Sequence, residues 1–203
     1  GSLHKGHISL IKKSLKKCKK TIVSIFVNPT QFNNKKDYQR YPRNFKKDLS
    51  ILKKLKVDLV YLPKKNDIYG SKRKVKIKLN KKNLILCAKF RKGHFEGVID
   101  VMDRFTKVIR PYKIFMGEKD LQQLYLVKKY IQKKYKCRII ACKTIRNKDK
   151  LALSSRNSLL SKTELKKVGK FTQEVFSLKR KLGLTKNIEK VLRNKKKEFN
   201  DLF

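Results

Sequence analysis

The segment that most constrains the fold is the first one, where a histidine- and glycine-containing motif runs directly into a helical pattern. Residues 1–7 read Gly-Ser-Leu-His-Lys-Gly-His, and apolar residues then recur at helical spacing from Ile8 to Cys18. The first N–H groups of a helix and the positive end of its dipole favour a bound anion. Gly6 would let the backbone approach such a ligand without a Cβ in the way. The motif therefore predicts a nucleoside triphosphate site.

His4 and His7 are the candidate catalytic residues of this motif. Each imidazole can donate a hydrogen bond to a phosphoryl oxygen, and neither needs to act as a base. Two exposed histidines at a helix cap are the alternative interpretation. The chain contains only three histidines, so a pair at one helix start favours the functional interpretation.

Short apolar runs alternate with helical patterns through the first two thirds of the chain. The runs at residues 21–27, 57–62, 113–116 and 138–142 predict strands, and a half-exposed strand is expected around Val75, Ile77 and Leu79. The order predicts an α/β fold with a Rossmann-like doubly wound parallel sheet, whose ligands bind beyond the carboxyl ends of the strands. The run at 21–27 is expected to be buried on both faces. We expect a nucleotide-binding domain at residues 1–143 and a partial, mostly helical domain at 144–203.

Polar clusters follow several of these strands. Asn28 and Gln31 come directly after the first strand, where their amides could fix a small polar substrate. Gly117, Glu118, Lys119 and Asp120 follow another strand and open a helix that carries Gln122 and Gln123. Ser154, Ser155 and Arg156 could neutralise charge that builds up on a triphosphate during displacement. Each cluster alone is common at strand and helix ends, but together they predict one site.

The net charge of +42 raises a second possibility, a protein that binds nucleic acid. Of the 57 basic residues, however, 46 are lysines and only 11 are arginines, and arginine is the residue suited to bidentate recognition of phosphate and guanine. We therefore expect nucleic acid to bind nonspecifically if at all. No apolar run approaches the roughly 20 residues of a membrane span and no secretory leader precedes the motif, so we expect a cytoplasmic protein without membrane contact.

The ordered set of motifs resembles the pantoate–β-alanine ligases (pantothenate synthetases), a family of His-x-Gly-His nucleotidyltransferases. The matching segments are residues 1–7, 23–32, 41–43, 91–95, 117–123 and 151–157. The resemblance implies that pantoate and ATP form pantoyl adenylate and pyrophosphate, and that β-alanine then gives pantothenate and AMP. It also implies Mg²⁺ accompanying ATP, with no metal site built by the protein, and a possible homodimer.

The resemblance also implies roles for individual residues. His7 would be the proton donor, His4 would contact the phosphates, and Lys119 and Arg156 would stabilise charge on the α-phosphate and pyrophosphate. Gln31 and Gln123 would hold pantoate. The ATP contacts would be Gly1, Ser2, Leu3, His4, Lys5, Gly6, His7, Gly117, Glu118, Lys119, Asp120, Ile145, Leu153, Ser154, Ser155 and Arg156.

The chain also departs from the family pattern. The family's first strand would precede Gly1, and its last strands have no counterpart here, so the chain is expected to be truncated at both ends. Lys150 stands where a glycine is frequent. Three functions therefore stay open: an active ligase, a truncated inactive relic of that ligase, and a basic nucleic-acid-binding protein. Another adenylyl- or cytidylyltransferase is disfavoured by the joint occurrence of Gln31, Gln123 and the Ser-Ser-Arg loop.

Overall fold

The structure is a computed structural model that describes residues 2–70 and 77–202, and these residues form two compact units. The first unit spans Gly1–Thr144 and the second spans Ile145–Phe203. Each is described by itself below.

The first unit alternates short strands with helices. Its strands are β1 (Ile22–Ser24), β2 (Leu59–Tyr61), β3 (Lys113–Gly117) and β4 (Arg138–Cys142). Its helices are α1 (Lys5–Lys17), α2 (Lys35–Arg40), α3 (Phe45–Lys54), α4 (Lys65–Tyr69), α5 (Cys87–Phe90), α6 (His94–Ile109), α7 (Leu121–Val127) and α8 (Lys133–Tyr135). Short 3₁₀ turns cover Pro29–Gln31, Lys81–Asn83 and Glu118–Asp120, and a π-helical turn, Lys128–Gln132, joins α7 to α8.

All strand pairs are parallel, as the sequence predicts. β1 pairs with β2 in the register Ile22↔Leu59, and β3 pairs with β4 in the register Lys113↔Arg138. Within the described residues the strands form two two-stranded sheets, whereas one continuous doubly wound sheet was expected. The expected burial of β1 on both faces is wrong, because Ile22 is 41% exposed. A strand of three residues with one hydrogen-bonded neighbour leaves part of its surface uncovered.

The strand expected around Val75 falls partly on residues 71–76, which lie outside the described residues. Residues 77–80 have no regular secondary structure. The adjoining Leu79 and Ile77 pack as partly buried residues against the main core.

The main core of the first unit lies around α6 and α7. Its most deeply buried side chains are Ile99 on α6, Leu126 and Val127 on α7, and Ile131 on the π-helical turn. A second cluster joins α1, α3 and the end of β1 through Ile11, Leu52 and Ile25. Packing of apolar helix faces on both strand pairs fixes the positions at which the strands end and the next helices begin.

The second unit is mostly helical, with a 3₁₀ helix at Ser155–Leu159 followed by α9 (Lys162–Leu184) and α10 (Ile188–Leu202). The predicted capping box at the start of α9 is confirmed: the Glu164 N–H donates to Ser161 Oγ at 3.2 Å, and the Ser161 N–H donates to Glu164 Oε2 at 2.7 Å. Lys195 Nζ on α10 donates to Glu174 Oε2 on α9 at 2.6 Å. None of the helices in the described ranges is both long and apolar enough to cross a membrane.

Candidate active site

The two histidines of the first motif cap helix α1. His4 occupies the N-cap position, and its Nδ1 accepts a hydrogen bond from the Gly6 N–H at 3.1 Å. The His7 Nδ1 accepts from the His4 N–H at 3.3 Å, and the centroids of the two rings lie 4.0 Å apart. A ring nitrogen that accepts a hydrogen bond carries no proton, so both neutral imidazoles hold their proton on Nε2. Both Nε2–H groups can therefore donate to a ligand.

Burial keeps both imidazoles neutral. The pKa of His7 is lowered to about 4, chiefly by desolvation and to a smaller extent by the electrostatic effects of His4 and Lys119. Burial also lowers the pKa of His4, and the Lys119 charge adds to this effect. At neutral pH both rings are hydrogen-bond donors without positive charge. The predicted proton donor, His7, is thus suited to donating a hydrogen bond and not to acting as an imidazolium acid.

Gly6 has a structural role that the sequence did not indicate. A Cβ built on Gly6 would lie 2.8 Å from His4 Cε1 and 2.9 Å from His4 Nδ1. A side chain there would force the His4 ring away from the Gly6 N–H that it caps. The glycine therefore makes room for the capping imidazole, and the expected close approach of the backbone to a nucleotide at Gly6 stays a prediction.

A residue that the sequence did not indicate, Asp48, holds the loop before α1. It lies in the first turn of α3, is completely buried, and its Oδ1 accepts a hydrogen bond from the Leu3 N–H at 2.7 Å. Since the two residues are 45 positions apart, no local pattern links them. Of the other predicted ATP contacts in this motif, Gly1 lies outside the described residues, Ser2 has a left-handed φ of 39°, and Lys5 begins α1.

The turn after β1 is built around a buried amide. Asn28 is 2% exposed, and its Oδ1 accepts hydrogen bonds from the Tyr69 hydroxyl at 2.7 Å and from the Thr30 N–H at 3.2 Å. Its Nδ2 donates to the Gly97 carbonyl at 3.0 Å. Asn28 was expected to contact substrate, but its side chain is used inside the protein, so its role is to hold the turn that carries Gln31.

Gln31 and His7 line one cavity of about 200 Å³ at the end of β1. The other lining residues are Leu3, Ser24, Ile25, Phe26, Val27, Phe32 and Tyr41, and polar atoms contribute somewhat more of the lining surface than apolar atoms do. The volume is below the range of roughly 300–1,000 Å³ that is typical of drug-sized ligands. A cavity of this size, with a glutamine and a histidine in a lining of mixed polarity, suits a small organic molecule with several polar groups.

Lys119 lies at the exit of β3, in the 3₁₀ turn Glu118–Asp120 that follows Gly117. Its Nζ lies 3.7 Å from Asp120 Oδ2, and the side chains are 38% and 60% exposed. The Lys119 charge acts on both imidazoles, as the lowered pKa values show. His7 is thus shared between the start of α1 and the cavity after β1, and the charge of Lys119 at the exit of β3 contributes to the lowered pKa of both imidazoles.

The two glutamines of α7 differ in their surroundings. The Gln122 side chain donates to the Ile85 carbonyl at 2.7 Å and accepts from the Ala88 N–H at 3.3 Å, so it supports the segment before α5. Gln123, the predicted pantoate contact, is half-buried on the same helix.

The remaining predicted contacts belong to the second unit. Ile145 accepts a backbone hydrogen bond from Leu153 at 3.0 Å. Ser154 caps the 3₁₀ helix by accepting from the Arg156 N–H at 3.3 Å, and Ser155 is buried. The position of Lys150 has a φ of 62°, which explains a glycine preference there. The convergence of these residues with His7 and Lys119 stays a prediction.

Comparison with known proteins decides the family. The family model described as pantoate-beta-alanine ligase matches residues 1–202 of the chain. The chain belongs to the pantoate–β-alanine ligase family.

Individual family members support the assignment. The pantothenate synthetase of Clostridium botulinum (strain ATCC 19397 / Type A) is 46% identical over 167 residues, which are 82% of this chain and 59% of that protein. The chain thus spans about 59% of the length of this curated relative. The pantothenate synthetase of Francisella tularensis subsp. novicida is 44% identical over 168 residues, covering 81% of this chain and 64% of the relative.

Solved structures of family members have the same fold. The pantoate–β-alanine ligase of Francisella tularensis, complexed with β-γ ATP and β-alanine, matches with a TM-score of 0.83 at 41% identity, covering 85% of this chain and 67% of that one. The enzyme from Thermus thermophilus matches with a TM-score of 0.92 at 30% identity, covering 100% of this chain and 74% of that one. The predicted α/β fold class is confirmed by these family structures.

Proposed function

We propose that this protein takes part in the ATP-dependent condensation of pantoate with β-alanine. The observation that carries the proposal is the shared cavity after β1, which is small and is lined by both Gln31 and His7, whose imidazole is neutral. The ligands in the Francisella structure, β-γ ATP and β-alanine, are consistent with such a site. The cavity would hold the acid, and the start of α1 would hold the phosphates.

In the first step, a carboxylate oxygen of pantoate attacks the α-phosphorus of ATP. The bond from the α-phosphorus to the oxygen that bridges to the β-phosphate breaks, and pyrophosphate leaves. Charge grows on the phosphoryl oxygens during this displacement. The Nε2–H groups of His4 and His7 and the ammonium of Lys119 would stabilise that charge as preorganised donors.

In the second step, the amine of β-alanine attacks the acyl carbon of pantoyl adenylate. An amide bond forms, the bond from the acyl carbon to the phosphate oxygen breaks, and AMP leaves while the amine loses a proton to solvent. Gln31 and Gln123 would hold the pantoyl group in both steps. Because the acyl group stays in place, the adenylate is shielded from water until the amine arrives.

The start of the 3₁₀ helix Ser155–Leu159 and the loop before it supply further proposed contacts to ATP, as the family resemblance implies. Arg156, with Ser154 and Ser155, would neutralise charge on the pyrophosphate, because arginine binds phosphate oxygens in a bidentate manner. The described residues contain no group of three or more His, Cys, Asp or Glu side chains that could hold a metal ion. The Mg²⁺ that accompanies ATP would be held by the phosphates themselves.

Pyrophosphate exchange tests the mechanism directly. Pantoate and ATP without β-alanine should support incorporation of labelled pyrophosphate into ATP, because adenylate formation is reversible and precedes the amine. The exchange should require pantoate and should be lost when pantoate is omitted. Exchange that is independent of pantoate, or no exchange with ATP and pantoate bound, would contradict the proposal.

The cytoplasm is the proposed location, and a homodimer is the proposed assembly. Sedimentation of the purified protein measures the second point, since a dimer doubles the mass of 24.0 kDa.

A further inference from the structure

The third histidine of the chain lies at the start of α6 and contacts the turn that carries Gln31. His94 is 7% exposed, and its Nδ1 lies 2.6 Å from the Gln31 carbonyl oxygen. A carbonyl oxygen only accepts hydrogen bonds, so Nδ1 of His94 carries the proton and donates it. This is the opposite arrangement from His4 and His7, whose Nδ1 atoms accept.

One turn further along α6, the helix backbone touches the same 3₁₀ turn. A Cβ built on Gly97 would lie 2.5 Å from the Thr30 carbonyl oxygen, a distance that real Cβ atoms do not reach. The Gly97 carbonyl itself accepts from Asn28 Nδ2 at 3.0 Å. Gly97 therefore permits the close approach, and His94 and Gly97 hold the two ends of the turn on α6.

The same turn is anchored from α4. The Tyr69 hydroxyl donates to Asn28 Oδ1, and the guanidinium of Arg104 on α6 lies 4.9 Å from the centre of the Tyr69 ring. Arg104 also donates to the Ile68 carbonyl at 2.9 Å and pairs with Asp100 at 3.0 Å. Residues of α6 therefore contact the turn directly, and Arg104 of α6 also contacts Tyr69, which bonds to the turn from α4.

We propose that His94 is a positioning residue for the acid-binding cavity, acting through the backbone of Gln31. The inference rests on the proposed function, because it takes Gln31 as the group that holds the acid. The donated hydrogen bond fixes the Gln31 carbonyl, and with it the direction in which the Gln31 amide projects toward the cavity. Side chains that hold a binding group within a fraction of an ångström control affinity without touching the ligand.

The test compares two substitutions of His94. His94→Asn keeps a donor, because the Asn Nδ2 takes the place of the imidazole Nδ1, whereas His94→Leu removes it. We expect His94→Leu to raise the KM for pantoate by about tenfold or more and to leave the Kd for ATP within about twofold. His94→Asn should restore the KM for pantoate to within about threefold of the parent value. The ATP measurement reports whether the variant is folded around α1.

Gly97→Ala supplies a second, independent disturbance of the same contact. The added methyl group would push the Thr30 carbonyl away from α6 and should raise the KM for pantoate without changing the Kd for ATP. Gly183→Ala is the matched control, because it also lies in a helix and its Cβ would meet nothing within 4 Å. The control should leave both constants unchanged.

The results separate this inference from the proposed function. If the parent protein shows no pantoate-dependent pyrophosphate exchange, the proposed function fails, and the side-chain amide NMR signal of Gln31 then tests the contact alone. That signal should move in His94→Leu and stay close to the parent position in His94→Asn. Equal behaviour of the Asn and Leu variants, or equal loss of pantoate and ATP affinity in His94→Leu, would overturn the positioning role.

Discussion

The exits of β1 and β3 both contribute to the candidate site, but they are built in opposite ways. After β1, Asn28 is 2% exposed and is held by hydrogen bonds to residues up to 69 positions away. After β3, Lys119 is 38% exposed and pairs with its own neighbour, Asp120. A neutral amide that must hold an orientation is supported by a buried network. A cation that must meet a phosphate keeps its hydration and its reach, because burying it would cost free energy.

The comparison between the two strand exits is tested first by removing the positive charge of Lys119. Lys119→Ala should lower turnover on the order of a hundredfold or more, because it removes the ammonium that is proposed to stabilise charge on the α-phosphate. The midpoint of thermal unfolding should stay nearly constant, since the side chain is partly exposed. The matched control is Lys12→Ala, an exposed lysine on α1, which should leave both turnover and stability unchanged. A comparable loss in the control would mean that general charge, not Lys119, is responsible.

The dependence of the free energy of unfolding on pH tests the lowered pKa of His7. The folded-state pKa of His7 is about 4, below the unfolded value of about 6.5, so the unfolded chain binds the proton first. The free energy of unfolding should therefore be highest above pH 6.5 and fall by about 3 kcal/mol as the pH drops toward 4. Denaturant unfolding at several pH values measures this. In His7→Gln the part of the decline that is due to His7 should disappear. If the free energy of unfolding depended on pH in the same way as in the parent protein, the lowered pKa of His7 would be contradicted.

The buried network can be disturbed without touching the cavity. Tyr69→Phe removes the hydroxyl that donates to Asn28 Oδ1 and should lower the free energy of unfolding by about 1 kcal/mol or slightly more. Urea unfolding measures the change. Tyr112→Phe is the control, because Tyr112 is 64% exposed and should lose almost nothing. Equal effects of the two substitutions would show that the network after β1 contributes no special stability.

The smallest expected effect concerns two left-handed backbone positions. Gly93, directly before α6 on the β1 side, has a φ of 79°, which glycine adopts readily. Lys136, directly after α8 on the β3 side, has a φ of 51°, so a residue with a Cβ occupies the left-handed region there. Lys136→Gly should raise the free energy of unfolding by about 0.5–1 kcal/mol, because glycine adopts this conformation without a Cβ clash. Lys133→Gly, inside α8, should lower it by a similar amount, and urea unfolding measures both. Changes of the same sign would refute the conformational explanation.

Much of the local structure could be predicted from the sequence. The Ser161–Glu164 capping box, the helix after the first motif and the four short strands depend on side chains within a few positions of each other. The family could also be predicted, because its motifs occur in order along the chain. The continuity of the sheet and the burial of β1 were not predictable in this way, since both depend on which elements lie alongside a strand.

Within the site, the sequence indicated residue types better than their roles. Asn28 at the end of β1 was expected to contact substrate, but a sequence does not show whether an amide points toward a ligand or into the protein. Asp48 gave no signal, because its bond to Leu3 joins segments 45 residues apart. Gly97 gave none either, since the need for a missing Cβ arises only where α6 meets Thr30.

The sequence by itself determined the family, the helix starts and the set of polar side chains near the strand ends, because these follow from short-range spacing and from the order of motifs. The tertiary structure alone decided the tautomers and lowered pKa values of His4 and His7, the inward direction of Asn28 and the contact of His94 with Gln31. These properties arise from burial and from hydrogen bonds between distant segments, and such contacts exist only once the chain has packed.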